Sequence, residues 1–217
     1  MEKIEHIREW LGTGSINIFG IQFSGKDTVG MYLAELLGAE FISSGDVMRA
    51  VFSKPETAAN EQIWEAAKLG SLSGQLMPTN EFQHMMAERL AQPDLTGKPL
   101  ILSTIGRWIG EEGPIMSALD ASNHPTKVVL LLTISEETLW RRWHIAHDTR
   151  NGGRDDDIDE EKVARRISEY KDKTLPVIEV YRNMGIVLEI DGEQPREQVF
   201  DSVIDALYEF SRASTSQ

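Results

Sequence analysis

Apolar and polar positions follow two rhythms along this chain. Short stretches made mostly of apolar residues, Ile16–Phe19, Glu40–Ile42, Leu100–Leu102, Lys127–Leu132 and Ile186–Ile190, fit strands covered on both faces. Between them, apolar residues recur three and four apart. That spacing predicts a helix from Lys26 onward and helices over Glu61–Leu69, Thr79–Leu90, Glu136–Ala146, Asp159–Tyr181 and Arg196–Phe210. Val29, Leu33, Leu36 and Leu37 form the inner face of the helix that opens at Lys26, and Val199, Val203, Ala206, Leu207 and Phe210 that of the last one. Strands alternating with helices predict an α/β fold, a three-layer sandwich around a central parallel sheet. Ile4, Ile7 and Leu11 make an apolar stripe that Gly12-Thr13-Gly14-Ser15 ends, so residues 1–15 are expected as an N-terminal extension packed on the core. The polar run Ser211–Gln217 is expected to fray. With no repeat and no low-complexity tract, residues 1–217 read as one domain with inserts.

Composition narrows the function. Hydrophobic residues make up 41% and charged residues 26%, an ordinary globular balance. The longest apolar run, Val128–Leu132, is far short of the ~20 residues of a membrane span, and the N-terminus lacks the pattern of a secretory signal. Without cysteine there is no disulfide and no thiolate metal site, which fits a cytoplasmic protein. A net charge of −13 speaks against nucleic acid or an anionic membrane as partner. A small anion held by a local cationic cluster remains open. Six of the thirteen arginines lie between Arg141 and Arg166, around Gly152-Gly153 and Asp155-Asp156-Asp157. The plainer alternative for that run is a solvated helix face. Trp140 and Trp143 at helical spacing read as core, and the five histidines form no metal-ligand spacing.

Gly20-Ile21-Gln22-Phe23-Ser24-Gly25-Lys26-Asp27-Thr28 leaves a predicted strand and opens a predicted helix. In that setting, successive backbone N–H groups and the positive helix end converge on phosphate oxygens, and a lysine reaches the β- and γ-phosphates. Gly20 and Gly25 allow the close wrap, with Ser24 between them. Thr28 follows Lys26 one position late, after Asp27. A glycine-rich turn with a surface lysine is the alternative.

Further motifs keep company with this loop. Ser43-Ser44-Gly45-Asp46-Val47-Met48-Arg49 follows the second strand, then Gly74-Gln75-Leu76-Met77-Pro78-Thr79, Ser103-Thr104-Ile105-Gly106-Arg107 after the third strand, Gly153-Arg154-Asp155-Asp156 with Arg165-Arg166 beyond, and Asp191-Gly192. In this order, from about Ser15 to Phe210, they resemble the adenylate kinase family of nucleoside monophosphate kinases, whose motifs read G-x-x-x-x-G-K-G-T, S-T-G-D-x-x-R and D-G-F-P-R. The resemblance implies a P-loop kinase fold with a helical acceptor-binding insert over residues 44–91 and a short lid over 143–158. It implies ATP and Mg²⁺ as cofactors, a nucleoside monophosphate as substrate, and a monomer. Lys26, Arg107, Arg142, Arg154 and Arg166 would be catalytic. Gly20, Ser24, Gly25, Lys26, Asp27, Thr28 and Gly192 would bind the nucleotide cofactor. Ser44, Gly45, Arg49, Leu76, Met77, Arg107 and Glu111 would bind the acceptor. Thr28 would support Mg²⁺, and Ser103 would reach it through water.

Three positions depart from the family pattern. Ser103 stands where the family carries an acid that orders water on the metal, with Asp27 as a candidate substitute carboxylate. Gly106 stands in place of a proline. Glu111 lies four residues after Arg107, where adenine-specific members carry a glutamine; a carboxylate only accepts hydrogen bonds, so it suits a base that donates at that edge. A deoxynucleotide or another small phosphorylated molecule as acceptor, and a nucleotide-binding protein without catalysis, are the competing expectations.

Overall fold

The computed structural model describes residues 2–54, 56, 58–73, 76–149 and 160–215. In chain order these form α1 (Glu2–Leu11), β1 (Ser15–Gly20), α2 (Lys26–Leu37), β2 (Glu40–Ser43), α3 (Ser44–Ser53), α4 (Glu61–Ser73), α5 (Thr79–Leu90), β3 (Leu100–Ser103), α6 (Glu112–Ala121), β4 (Thr126–Thr133), α7 (Glu136–Thr149), α8 (Glu160–Glu169), α9 (Leu175–Asn183), β5 (Val187–Asp191) and α10 (Arg196–Thr215). The five strands form one parallel sheet in the order β2-β3-β1-β4-β5.

Period-two alternation sorts the strand side chains into the two outer layers. Ile16, Ile18, Ile101, Val128, Leu130 and Leu132 face α1, α2 and α10, packing on Ile7, Leu33, Val203 and Leu207. On the opposite face, Leu100 and Leu102 meet Ile63, Met86, Leu90 and Ile115 of α4, α5 and α6, and Phe19, Val129 and Leu131 meet Val177, Ile178 and Tyr181 of α9. The inner strands β1, β3 and β4 are apolar on both sides because helices cover both sides, which is why they stand out as apolar runs in the sequence. Among the described residues no helix is long and apolar enough to cross a membrane.

Residues 2–15 are part of the fold. Ile7 and Leu11 are buried, Arg8 donates through Nε to the Leu36 carbonyl at 3.2 Å, and Ser15 already belongs to β1. Three sequence expectations need correction. The helix expected over Asp159–Tyr181 is interrupted: α8 widens into a π turn at Tyr170–Thr174 before α9, which starts with Leu175-Pro176. Pro176 has no N–H and its ring clashes with a carbonyl four residues back, so regular α-helix cannot pass through it. Ser211 does not fray: α10 continues to Thr215, and the buried Ser211 hydroxyl donates to the Tyr208 carbonyl at 2.8 Å. Helices α3 and α6 were not foreseen. The first follows β2 without a break and the second opens with Gly113-Pro114, which reads as a turn although proline is tolerated in a first helical turn.

Strand order positions the site. From β1 the chain crosses to β2 at one edge, and from β3 it crosses to β4 on the other side of β1. The connections leaving neighbouring β1 and β3 thus diverge and open a crevice at their carboxyl ends, where ligands bind in such sheets.

Candidate active site

Residues 20–28 run from β1 into α2 as a tight loop. Phe23 and Gly25 adopt left-handed φ of 62° and 92°, and Val29 N–H donates to the Gly25 carbonyl at 2.9 Å. A Cβ on Gly20 would collide with the Ser24 hydroxyl and approach the Leu132 carbonyl to 2.9 Å, so no side chain fits there. Ser24 is buried and its hydroxyl has no partner among the described residues, within a loop whose amides suit an anion. Arg142 of α7 clamps this loop from outside. Its guanidinium donates to the carbonyls of Phe23 (3.0 Å), Ser24 (3.3 Å) and Gly192 (2.6 Å), joining the loop to the turn after β5. That turn is tied in its own right: Glu193 accepts from the Ser135 amide at 2.6 Å and the Thr138 hydroxyl at 2.5 Å at the start of α7. These bonds hold the Glu193 carboxyl down at about 2, the Thr138 hydroxyl contributing most.

The segment after β3 is held from below. Asn17, buried within β1, donates to the Ile105 carbonyl at 2.8 Å and accepts from the Ile105 amide at 3.2 Å. The Thr104 amide donates to the Ile18 carbonyl at 2.9 Å. Thr104 sits at φ 54°, and Gly106 follows at φ 80°, a conformation closed to proline. The change at Gly106 therefore matches the path of its backbone. Glu111 completes the turn by accepting from the amides of Arg107 (2.7 Å) and Trp108 (3.1 Å) through Oε2.

A cleft of about 380 Å³ opens between these two segments and the α3–α5 insert. Gly25, Lys26, Asp27, Thr28, Ser44, Gly45, Arg49, Leu76, Met77, Ser103, Arg107, Glu111 and Arg166 all line it, so residues from 25 to 166 are brought together. Gly20 and Ser24 belong to the loop itself, and Arg142 and Gly192 stand behind it and support it. Arg154, and the lid from residue 150 to 158, lie outside the described residues; the stretch from 143 to 149 continues α7. Gln22, Met31, Met48, Phe82 and Trp108 also line the cleft without having been singled out from the sequence. Met48 lies one turn from Ser44 and Gly45, and Phe82 one turn from Thr79, so helical spacing from the motifs would have found both.

The cleft is electropositive where phosphate would lie. Arg107 is half-buried in the cleft wall, and desolvation pulls its guanidinium down to about 10, with Arg166's charge adding to the effect and Asp27, Glu111 and Glu169 opposing it. One of its nitrogens donates to the Ser44 hydroxyl at 3.0 Å, while its Nε is buried without a partner among the described residues. Arg49 is held by Asp46 at 2.5 Å. Burial raises the Glu111 carboxyl above its usual range, against the two amides and the Thr79 hydroxyl beside it. Oxygen donors fit for a hard divalent cation are present as well: the Thr28 and Ser103 hydroxyls and the Asp27 carboxylate, with Ser103 Oγ donating to Asp27 Oδ1 at 2.6 Å.

Known proteins resemble this chain in sequence. A family model described as adenylate kinase matches residues 18–186. The adenylate kinase of Kocuria rhizophila is 30% identical over 190 residues, covering 88% of this chain and 96% of the relative. That of a Cyanothece species is 32% identical over 182 residues, covering 84% and 89%. That of Methanosarcina barkeri is 27% identical over 220 residues, covering 91% and 100%. The parallel sheet, the lysine loop at its centre and these matches together mean that the chain belongs to the adenylate kinase family, ATP-dependent phosphotransferases that act on nucleoside monophosphates.

Proposed function

We propose that this protein moves the terminal phosphoryl group of ATP, taken up with Mg²⁺, onto the phosphate of a nucleoside monophosphate, acting as a monomer in the cytoplasm. One observation carries this: Lys26, at the head of a phosphate-binding loop, shares a single cleft with Arg49 and Arg107, which come from the acceptor insert and the β3 segment. Two sets of phosphate-directed cations in one enclosure suit transfer between two nucleotides, where catalysis is positioning and charge neutralisation.

In this mechanism the loop amides, the Ser24 hydroxyl and the N-terminal end of α2 hold the donor's β- and γ-phosphates, and Lys26 follows charge as it shifts to the leaving ADP. Arg49 and Arg107 hold the acceptor phosphate. An acceptor oxygen attacks the γ-phosphorus while the bond to the ADP oxygen breaks, so no side chain becomes a nucleophile. Arg166 sits beside Arg107 and neutralises the transferred group, joined by Arg154 from the lid at 143–158. Ser44, Gly45, Leu76, Met77 and Glu111 frame the acceptor nucleoside. Thr28 would hold Mg²⁺ and Ser103 would reach it through water, where the cation supplies Lewis-acid charge for the phosphate oxygens. Arg142 and Gly192 act as positioning residues, because Arg142's donors are engaged by carbonyls of the two loops.

The buried Glu111 carboxyl favours an acceptor whose base donates at its Watson–Crick edge, such as guanine, over adenine, whose N1 needs a donor. The test is ADP release from MgATP with AMP, GMP, CMP, UMP, dTMP and dAMP offered in turn. Turnover that depends on one of them is the expected result. ATP binding without turnover on any of them would overturn the assignment.

A further inference from the structure

An acid on the rim of a phosphate-binding loop is out of place on simple electrostatics. Asp27 follows Lys26 directly and lines the cleft that also holds Lys26, Arg107 and Arg166. Its carboxylate is not turned away into solvent: the Ser103 hydroxyl, buried at the carboxyl end of β3, donates to Oδ1 at 2.6 Å. The contact joins the first turn of α2, which follows β1, to the end of β3, the strand that pairs with β1. A negative group fixed there opposes polyphosphate on its own. With a divalent cation between them, the same group attracts the cation–polyphosphate complex. Thr28, the next residue, brings a hydroxyl to the same cleft.

We propose that Asp27, oriented by the Ser103 hydroxyl, is the carboxylate that holds the water shell of the nucleotide-bound Mg²⁺, so that this cleft selects the metal complex of ATP over free ATP. The inference rests on the kinase assignment above. Ser103 is then a positioning residue: it supplies no charge and fixes the direction of the one that does. Asp27 acts through metal-bound water, while Lys26 and the loop amides contact the phosphates.

A competing role for Asp27 is to balance Arg107, whose charge it opposes across the cleft. The two roles separate in a binding experiment that needs no turnover. Calorimetry gives the dissociation constants of free ATP (in EDTA) and of MgATP for the wild type, Asp27→Asn, Ser103→Ala and the double variant Asp27→Ala/Ser103→Asp. Asp27→Asn should bind free ATP more tightly and MgATP more weakly, cutting the preference for the metal complex about tenfold or more, on the scale of a charge-assisted contact. Ser103→Ala should reduce the preference less, because the carboxylate remains but loses its orientation. The double variant moves the carboxylate across the hydrogen bond and should restore the preference. A preference in Asp27→Asn within twofold of wild type, with only monophosphate affinity altered, would show that Asp27 serves Arg107 and would overturn the inference alone. Wild-type protein that binds neither form of ATP would overturn the kinase assignment, and the inference with it. Ser103→Ala keeps the test decisive if Asp27→Asn does not fold.

Discussion

Arg107 holds its charge at a cost to the folded state, and replacing it with methionine should make the protein more stable while it disables the site. The guanidinium is desolvated in the half-buried cleft wall and lies at about 10 in place of its ordinary 12.5. At about 1.4 kcal/mol per pH unit, keeping the charge in the free protein costs about 3 kcal/mol. That figure already includes the attraction of Asp27, Glu111 and Glu169, which hold the value up, and the repulsion of Arg166, which pulls it down. Methionine is unbranched and adaptable, and fills much of the same space without charge. Its penalty is the hydrogen bond from Arg107 to the buried Ser44 hydroxyl, about 1 kcal/mol. The balance is about 2 kcal/mol in favour of Arg107→Met, or about 4–8 °C in Tm for a chain of this size.

Thermal unfolding of ligand-free protein, followed by circular dichroism at neutral pH, reads this directly. Kinetics supply the other half: kcat/KM for the monophosphate should fall about 10²–10³-fold, the loss typical of one preorganised charge-stabilising donor. A bound phosphate restores the charge balance around the guanidinium, so adding the monophosphate should raise Tm in the wild type and not in Arg107→Met. A Tm for ligand-free Arg107→Met at or below that of wild type would refute the account. It would mean that the surrounding carboxylates already compensate the buried charge in the absence of any ligand.

Lys26→Ala should lower turnover about 10³-fold with Tm nearly unchanged, since Lys26 lines the cleft and contributes little to the core; retained activity in the ADP-release assay would remove the lysine from the mechanism. In Glu111→Gln the amide oxygen can keep the bonds to the Arg107 and Trp108 amides while the NH₂ adds a donor, so the AMP-to-GMP ratio of kcat/KM should rise about tenfold or more. An unchanged ratio would show that Glu111 shapes the turn and does not read the base. Glu193, held at about 2 against an ordinary 4.5, stabilises the fold fully above pH 4.5 and progressively less as pH falls toward 2. Glu193→Gln should therefore melt below wild type at pH 7, with the gap closing between pH 4.5 and 2; a gap that is constant with pH would assign the loss to shape and not to charge.

Much of this fold is legible in the sequence because parallel strands covered on both faces read as apolar runs, and β1 to β5 fall within a residue or two of the expected ranges. What escapes is what tertiary context decides. Val47, Met48, Val51 and Phe52 of α3 recur at helical spacing and pack on the core, but the helix follows β2 without a turn residue and overlaps the Ser43–Arg49 motif, so its start carries no signal of its own. In α8 and α9 the apolar spacing runs on through Tyr170–Thr174, and only Pro176 hints at the break. Asn17 was a signal that could have been used: one amide in an otherwise apolar strand, buried on both sides, has to find a polar partner, and its partner is the segment that carries Arg107.

The chemistry was legible wherever it depends on a local run of residues, as in residues 20–28, and less so where it depends on pairs. Asp27 and Ser103 are separated by 76 positions and meet because β1 and β3 are neighbours in the sheet. The family pattern already offers Asp27 as a substitute for the acid missing at Ser103; what the sequence does not carry is the contact between them. Once the strand order is known, the loops leaving those two strands must share one crevice, and residues on them must be weighed as one electrostatic unit. The charge missing from one loop is present on the other, within a hydrogen bond of where it would otherwise have stood. In a sheet of this order, departures on the loops after β1 and β3 have to be read together before either is taken as a loss of function.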